Sequence, residues 1–63
     1  GHARLLANQA NALAHLGVFA HAREKFTQSR EYFLKGGDGD SAQAVEDQLE
    51  ALPAEKETSL GAL

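Results

Sequence analysis

Apolar residues return every three or four positions through most of the chain, in three successive stretches that each read as an amphipathic helix. The first, about residues 3 to 16, is rich in Ala and Leu and holds neither glycine nor proline, so propensity alone favours helix. Leu6, Ala10 and Leu13 form its apolar stripe, and Leu5, Ala12 and Leu16 widen it. Arg4, Asn8, Asn11 and His15 recur at the same period on another face. Gly17 supplies a stop, because glycine tolerates the left-handed conformation of a helix C-terminal cap. The next helical pattern follows so closely that the two helices must form an antiparallel hairpin.

The second helix is expected over about 19 to 35, with Phe19, Ala22, Phe26, Ser29 and Phe33 in one seam and Arg23, Glu24, Gln28, Arg30 and Glu31 opposite. Lys35 falls in the last turn, where a cation complements the helix dipole. Gly36-Gly37-Asp38-Gly39-Asp40 breaks the pattern. Asp40 with Gln43 three residues on predicts a capping box, and Ala42, Val45, Leu49 and Leu52 give the stripe of a third helix over about 40 to 52. Pro53 ends it, and residues 53 to 63, with few apolar positions and no sustained period, read as a frayed extension or linker. The fold class is therefore all-α: one domain over residues 3 to 52, an antiparallel helix-turn-helix hairpin plus a third helix. Either an α-solenoid fragment or a three-helix bundle satisfies that pattern.

Composition narrows the function classes. Sixty-three residues bury little apolar surface, so help from a neighbouring chain or segment is expected. Without cysteine there is neither a disulfide framework nor a thiolate metal site, and a reducing, cytoplasmic setting fits best. Six Lys and Arg against nine Asp and Glu, a net charge of -3, give no electrostatic reason to bind nucleic acid or an anionic membrane. No apolar run reaches the roughly 20 residues of a membrane span. The chain has no methionine and opens on Gly1-His2, so a piece cut from a longer protein is expected.

Little catalytic or metal chemistry is visible. Asp38-Gly39-Asp40 resembles the start of a calcium loop, but the sixth and twelfth positions, where such a loop needs glycine and a bidentate glutamate, hold Gln43 and Leu49. His2, His15 and His21 do not share helical ligand spacing, and no metal or cofactor is expected. Gly36-Gly37-Asp38-Gly39 follows a helix and lacks the lysine and hydroxyl of a phosphate loop. Thr27, Ser29 and Ser41 have no base at a spacing that would activate them, so no enzyme is expected.

The run Asn8 to Phe19, with Ala22, Phe26 and Ser29, resembles a tetratricopeptide repeat. In that family a small residue on the first helix admits the second closely, a glycine makes the turn, and two aromatics bracketing a small residue fill the gap. Ala10, Gly17, Phe19, Ala22 and Phe26 take those roles here. The continuation to Leu49 resembles the longer, roughly 40-residue repeat of scaffold proteins of the LGN/Pins type. Gln9 and Ser29 depart from the family's leucine and alanine, and Glu50 and Pro53 fit a second repeat poorly, so the third helix either opens that repeat or caps the first. Ala22, Phe26, Glu31, Tyr32, Phe33 and Leu34 also resemble the second helix of the microtubule-interacting and trafficking domain, a three-helix bundle that binds a partner helix.

The repeat resemblance implies a non-catalytic interaction module. First helices of such repeats line a concave groove, so Arg4, Asn8, Asn11 and His15 are the expected contacts to a peptide or helix of a partner protein. An asparagine amide both donates and accepts, which suits it to hold main chain. The alternative is self-association into a homo-oligomer through Tyr32, Phe33 and Leu34, because three consecutive large residues cannot all face one core.

Overall fold

The computed structural model describes residues 1–53. Three helices follow one another: α1, His2–His15; α2, Phe19–Lys35; and α3, Gly39–Ala51. No strand occurs among the described residues. α2 is the central helix, with α1 packed along one side and α3 along the other, which is the all-α helix-turn-helix arrangement with a third helix.

Both turns are built alike. Gly17 and Gly37 are the two glycines with positive φ, 83° and 78°. At the first, the Val18 N–H donates to the Leu13 carbonyl (2.9 Å) and the Gly17 N–H to that of Ala14 (3.0 Å). At the second, the Asp38 N–H donates to the Phe33 carbonyl (2.8 Å) and the Gly37 N–H to that of Leu34 (3.0 Å). This paired ladder is the Schellman motif, which satisfies carbonyls that a helix end would otherwise leave unpaired. Val18 and Asp38, next in line, take similar backbone angles (φ −91°, ψ 74° and φ −102°, ψ 77°) and start the following helix. Equal turns reverse the chain twice in the same way, so α1 and α3 run in the same direction and antiparallel to α2.

The core takes one residue from each helix: Ala10, Phe26 and Val45, with Ala7, Phe33, Leu49 and Leu52 packed around them. Ala10 and Ala22 are fully buried, and their small size lets α1 and α2 approach closely enough to seat the Phe26 ring. Ser29 is equally buried and its hydroxyl donates to the Ala3 carbonyl (2.7 Å), so the departure from alanine at this position is met by a hydrogen bond. Between α2 and α3, Arg30 Nε lies 3.3 Å from Glu46 Oε1. Arg23 donates to the Pro53 carbonyl (3.2 Å) and so ties the end of α3 to the first turn of α2.

Three expectations need correction. The third helix begins at Gly39, capped by Asp38, whose Oδ1 accepts from the Ser41 N–H (3.1 Å). Asp40 falls inside the first turn and Gln43 donates instead to Asp47 (3.2 Å), so the Asp40–Gln43 capping box does not form. The reason is the Schellman ladder, which fixes Asp38 in cap conformation before Asp40 is reached. Leu5, Ala12 and Leu16 do not widen the buried stripe of α1, since all three are exposed, Leu16 by 77%. They lie on the flank of α1 turned away from α2, where no other described helix covers them. Pro53 is described and exposed; the rest of the expected C-terminal extension lies outside the described residues.

Candidate functional site

A shallow trough of about 200 Å³ runs over α2 between α1 and α3. Phe26 and Phe33 form its floor, Ala7 and Asn11 one wall, and Ser41, Ala44, Val45 and Gln48 the other. Its shape follows from the two equal turns, which set α1 and α3 side by side across α2. Phe33 is half-buried and offers the apolar surface that can be reached, while Phe26 lies buried beneath it. Asn11 and Gln48 are exposed and bring a side-chain amide to each wall. The arrangement offers an apolar floor for a side chain and, on either side, groups that both donate to and accept from a peptide bond.

The sizes decide what can occupy it. From Ser41 to Gln48 the wall is about 10 Å long at the rise of an α-helix, which is about three residues of extended chain or two turns of a helix. The volume falls below the roughly 300–1,000 Å³ of pockets that enclose cofactors and drug-sized molecules.

Of the four residues expected on α1, only Asn11 lines the trough. Arg4, Asn8 and His15 are exposed on the same helix, further round toward solvent, and no described residue engages them. The α3 residues Ser41 and Gln48 were not anticipated. Their spacing of seven, flanking the Ala42–Val45–Leu49 stripe, was the signal that could have found them. Tyr32, Phe33 and Leu34 are not brought together as one surface. Phe33 turns inward onto the core, while Tyr32 and Leu34, two residues and so roughly 200° apart round the helix, are exposed on opposite sides of it.

Tyr32 instead joins a second hollow on the other side of the α1–α2 pair. His2 meets the Tyr32 ring edge to face, with centroids 5.0 Å apart, and Lys35 Nζ lies 6.0 Å from its centre. Gln28, Glu31 and Leu6 complete this hollow of about 310 Å³. Although larger, it is walled mainly by long polar side chains on exposed positions and presents little apolar surface, so it holds a ligand less well than the phenyl-floored trough. No grouping of His, Asp and Glu suited to a metal ion occurs among the described residues. None of the described helices is long and apolar enough to cross a membrane. Comparison with known proteins finds no matching family model, no similar curated protein and no similar solved structure.

Proposed function

We propose that this chain is a non-catalytic protein-interaction module of tetratricopeptide-like build that takes a short segment of a partner protein into the trough between α1 and α3. The observation that carries the reading is the pairing of an apolar floor, the half-buried Phe33 over the buried Phe26, with an amide on each wall, Asn11 and Gln48. An incoming chain would set an apolar side chain on the rings and share main-chain hydrogen bonds with the amides. Amides hold main chain without reading sequence, so selectivity would come from the fit on the floor and from charge. Arg4, one turn beyond the trough, favours an acidic residue in the ligand. A chain without cysteine suits the cytoplasm.

The test is selection of random twelve-residue peptides on the purified chain, followed by titration of an enriched peptide against three variants. Asn11→Ala and Gln48→Ala are each expected to weaken binding by about fivefold, the loss of about one net hydrogen bond. Ala44→Trp, an exposed substitution that fills the trough, is expected to abolish it. Equal affinity for all three variants would overturn the reading.

A further inference from the structure

The two outer helices carry opposite charge, and each presents an exposed stripe. On α1 the stripe is Leu5, Gln9, Ala12 and Leu16, spaced four, three and four residues apart. Two of its members are large and apolar, Leu5 exposed by 52% and Leu16 by 77%. On α3 the stripe is Asp40, Ala44, Asp47 and Ala51, with the same four-three-four spacing. α1 contains Arg4, His2 and His15 and no acid; α3 contains Asp40, Glu46, Asp47 and Glu50 and no base.

We infer that the chain associates with itself head to tail, the α1 stripe of one copy lying antiparallel on the α3 stripe of the next. In that alignment Leu5 meets Ala51, Gln9 meets Asp47 and Ala12 meets Ala44. The small residues admit a close approach, and Leu5 gains an apolar neighbour, while Leu16, at the other end of the stripe, falls beside Asp40. Arg4 is brought toward the Asp47 and Glu50 carboxylates. Charge selects this pairing over the symmetrical ones: α1 on α1 would oppose cations, and α3 on α3 would oppose four acids to four. The antiparallel setting also continues the alternation of helix direction from α2 to α3. A contact between two different surfaces leaves one of each free on a dimer, so copies add beyond the dimer, into a ring or an open chain as the rotation between them dictates. The surface shares Ala44 with the trough wall but none of the trough floor, and it does not depend on the peptide-binding reading.

The experiment is sedimentation velocity on the full chain from roughly 10 µM to 2 mM, because a stripe of about three turns lies well below a standard interface and assembles weakly. The average mass is expected to rise with concentration past that of a dimer, and less steeply in high salt. Leu5→Gln with Leu16→Gln removes the apolar stripe, and Asp47→Lys with Glu50→Lys reverses the charge of the other; each protein alone is expected to stay monomeric. Mixed one to one, the two are expected to stop at a dimer, since each retains one good surface, and the damaged pair lacks both the leucines of α1 and the net negative charge of α3. A wild-type chain monomeric throughout, a variant that still associates alone, or a mixture that remains monomeric would each overturn the inference. Circular dichroism reports whether the variants keep their helices; if either does not, the wild-type series in low and high salt decides.

Discussion

The Ser29 hydroxyl is the buried polar group whose position says most about how α1 sits on α2. Fully enclosed, it donates to the Ala3 carbonyl and anchors the first turn of α1, a helix with no side-chain N-cap. Ser29→Ala is expected to lower stability by about 0.5–1.5 kcal/mol, the net worth of one hydrogen bond, read by urea denaturation. The glycines allow a sharper contrast within two adjacent positions. Gly37 has a φ of +78° and Gly36 one of −83°. Gly37→Ala is expected to cost about 1–2 kcal/mol, as an L side chain is forced into the left-handed region. Gly36→Ala is expected to be neutral or to stabilise by up to about 1 kcal/mol, since a Cβ there meets the Tyr32 and Phe33 carbonyls at an ordinary 3.5 and 3.7 Å. The same urea midpoints separate the two. Much of this scale was legible: Leu6, Ala10, Ala22, Phe26, Ser29, Ala42 and Val45, the buried set, all lie on the stripes that spacing marks. What spacing could not say is which edge of a stripe meets a neighbour. That is why Leu5 and Leu16, apolar and correctly spaced, are left in solvent: no described helix covers that flank of α1.

At the scale of elements, the start of α3 shows a local rule overridden by the turn before it. Asp40 and Gln43 have the spacing of a capping box, yet the Schellman ladder at Gly37 sets Asp38 in cap conformation two residues earlier. The Asp38 carboxyl is held below the ordinary aspartate value by the Ser41 hydroxyl and then by the Ser41 backbone N–H. Because the folded value is depressed, this contribution is fully present above the ordinary value of 3.8 and is lost as pH falls through the lower folded value. Amide exchange at Ser41 and Ala42, measured by NMR from pH 6 downward, is therefore expected to accelerate beyond its intrinsic pH dependence only below about pH 4. Asp38→Asn, which caps without titrating, is expected to remove that step; a step that persists in the variant would assign it elsewhere. The Arg30–Glu46 pair joins α2 to α3 with both side chains about 40% exposed. Solvent leaves it worth at most about 1 kcal/mol, so the register of α3 depends on Val45 and Leu49 more than on this bridge.

For the whole molecule, helix number, order and antiparallel pairing could be read from periodicity and the two glycine breaks. The trough could not, because it lies between α1 and α3, which are joined only through α2, and no single helix's period records how two others face across it. The equal hand of the turns at Gly17 and Gly37 decides that placement. The polar line on α1 consequently contributes one residue, Asn11, and the facing wall comes from α3. Binding at the trough and stacking through the outer stripes share Ala44 on α3. The most direct measurement is a ¹⁵N,¹H NMR titration of the full chain with an enriched peptide, following backbone amides and the side-chain amides of Asn11 and Gln48. The account predicts that the largest shifts fall on Ala7, Asn11, Ser41, Ala44 and Gln48. Shifts confined to His2, Gln28, Glu31 and Lys35, or scattered along Arg4, Asn8 and His15 with the side-chain amides of Asn11 and Gln48 unmoved, would contradict it.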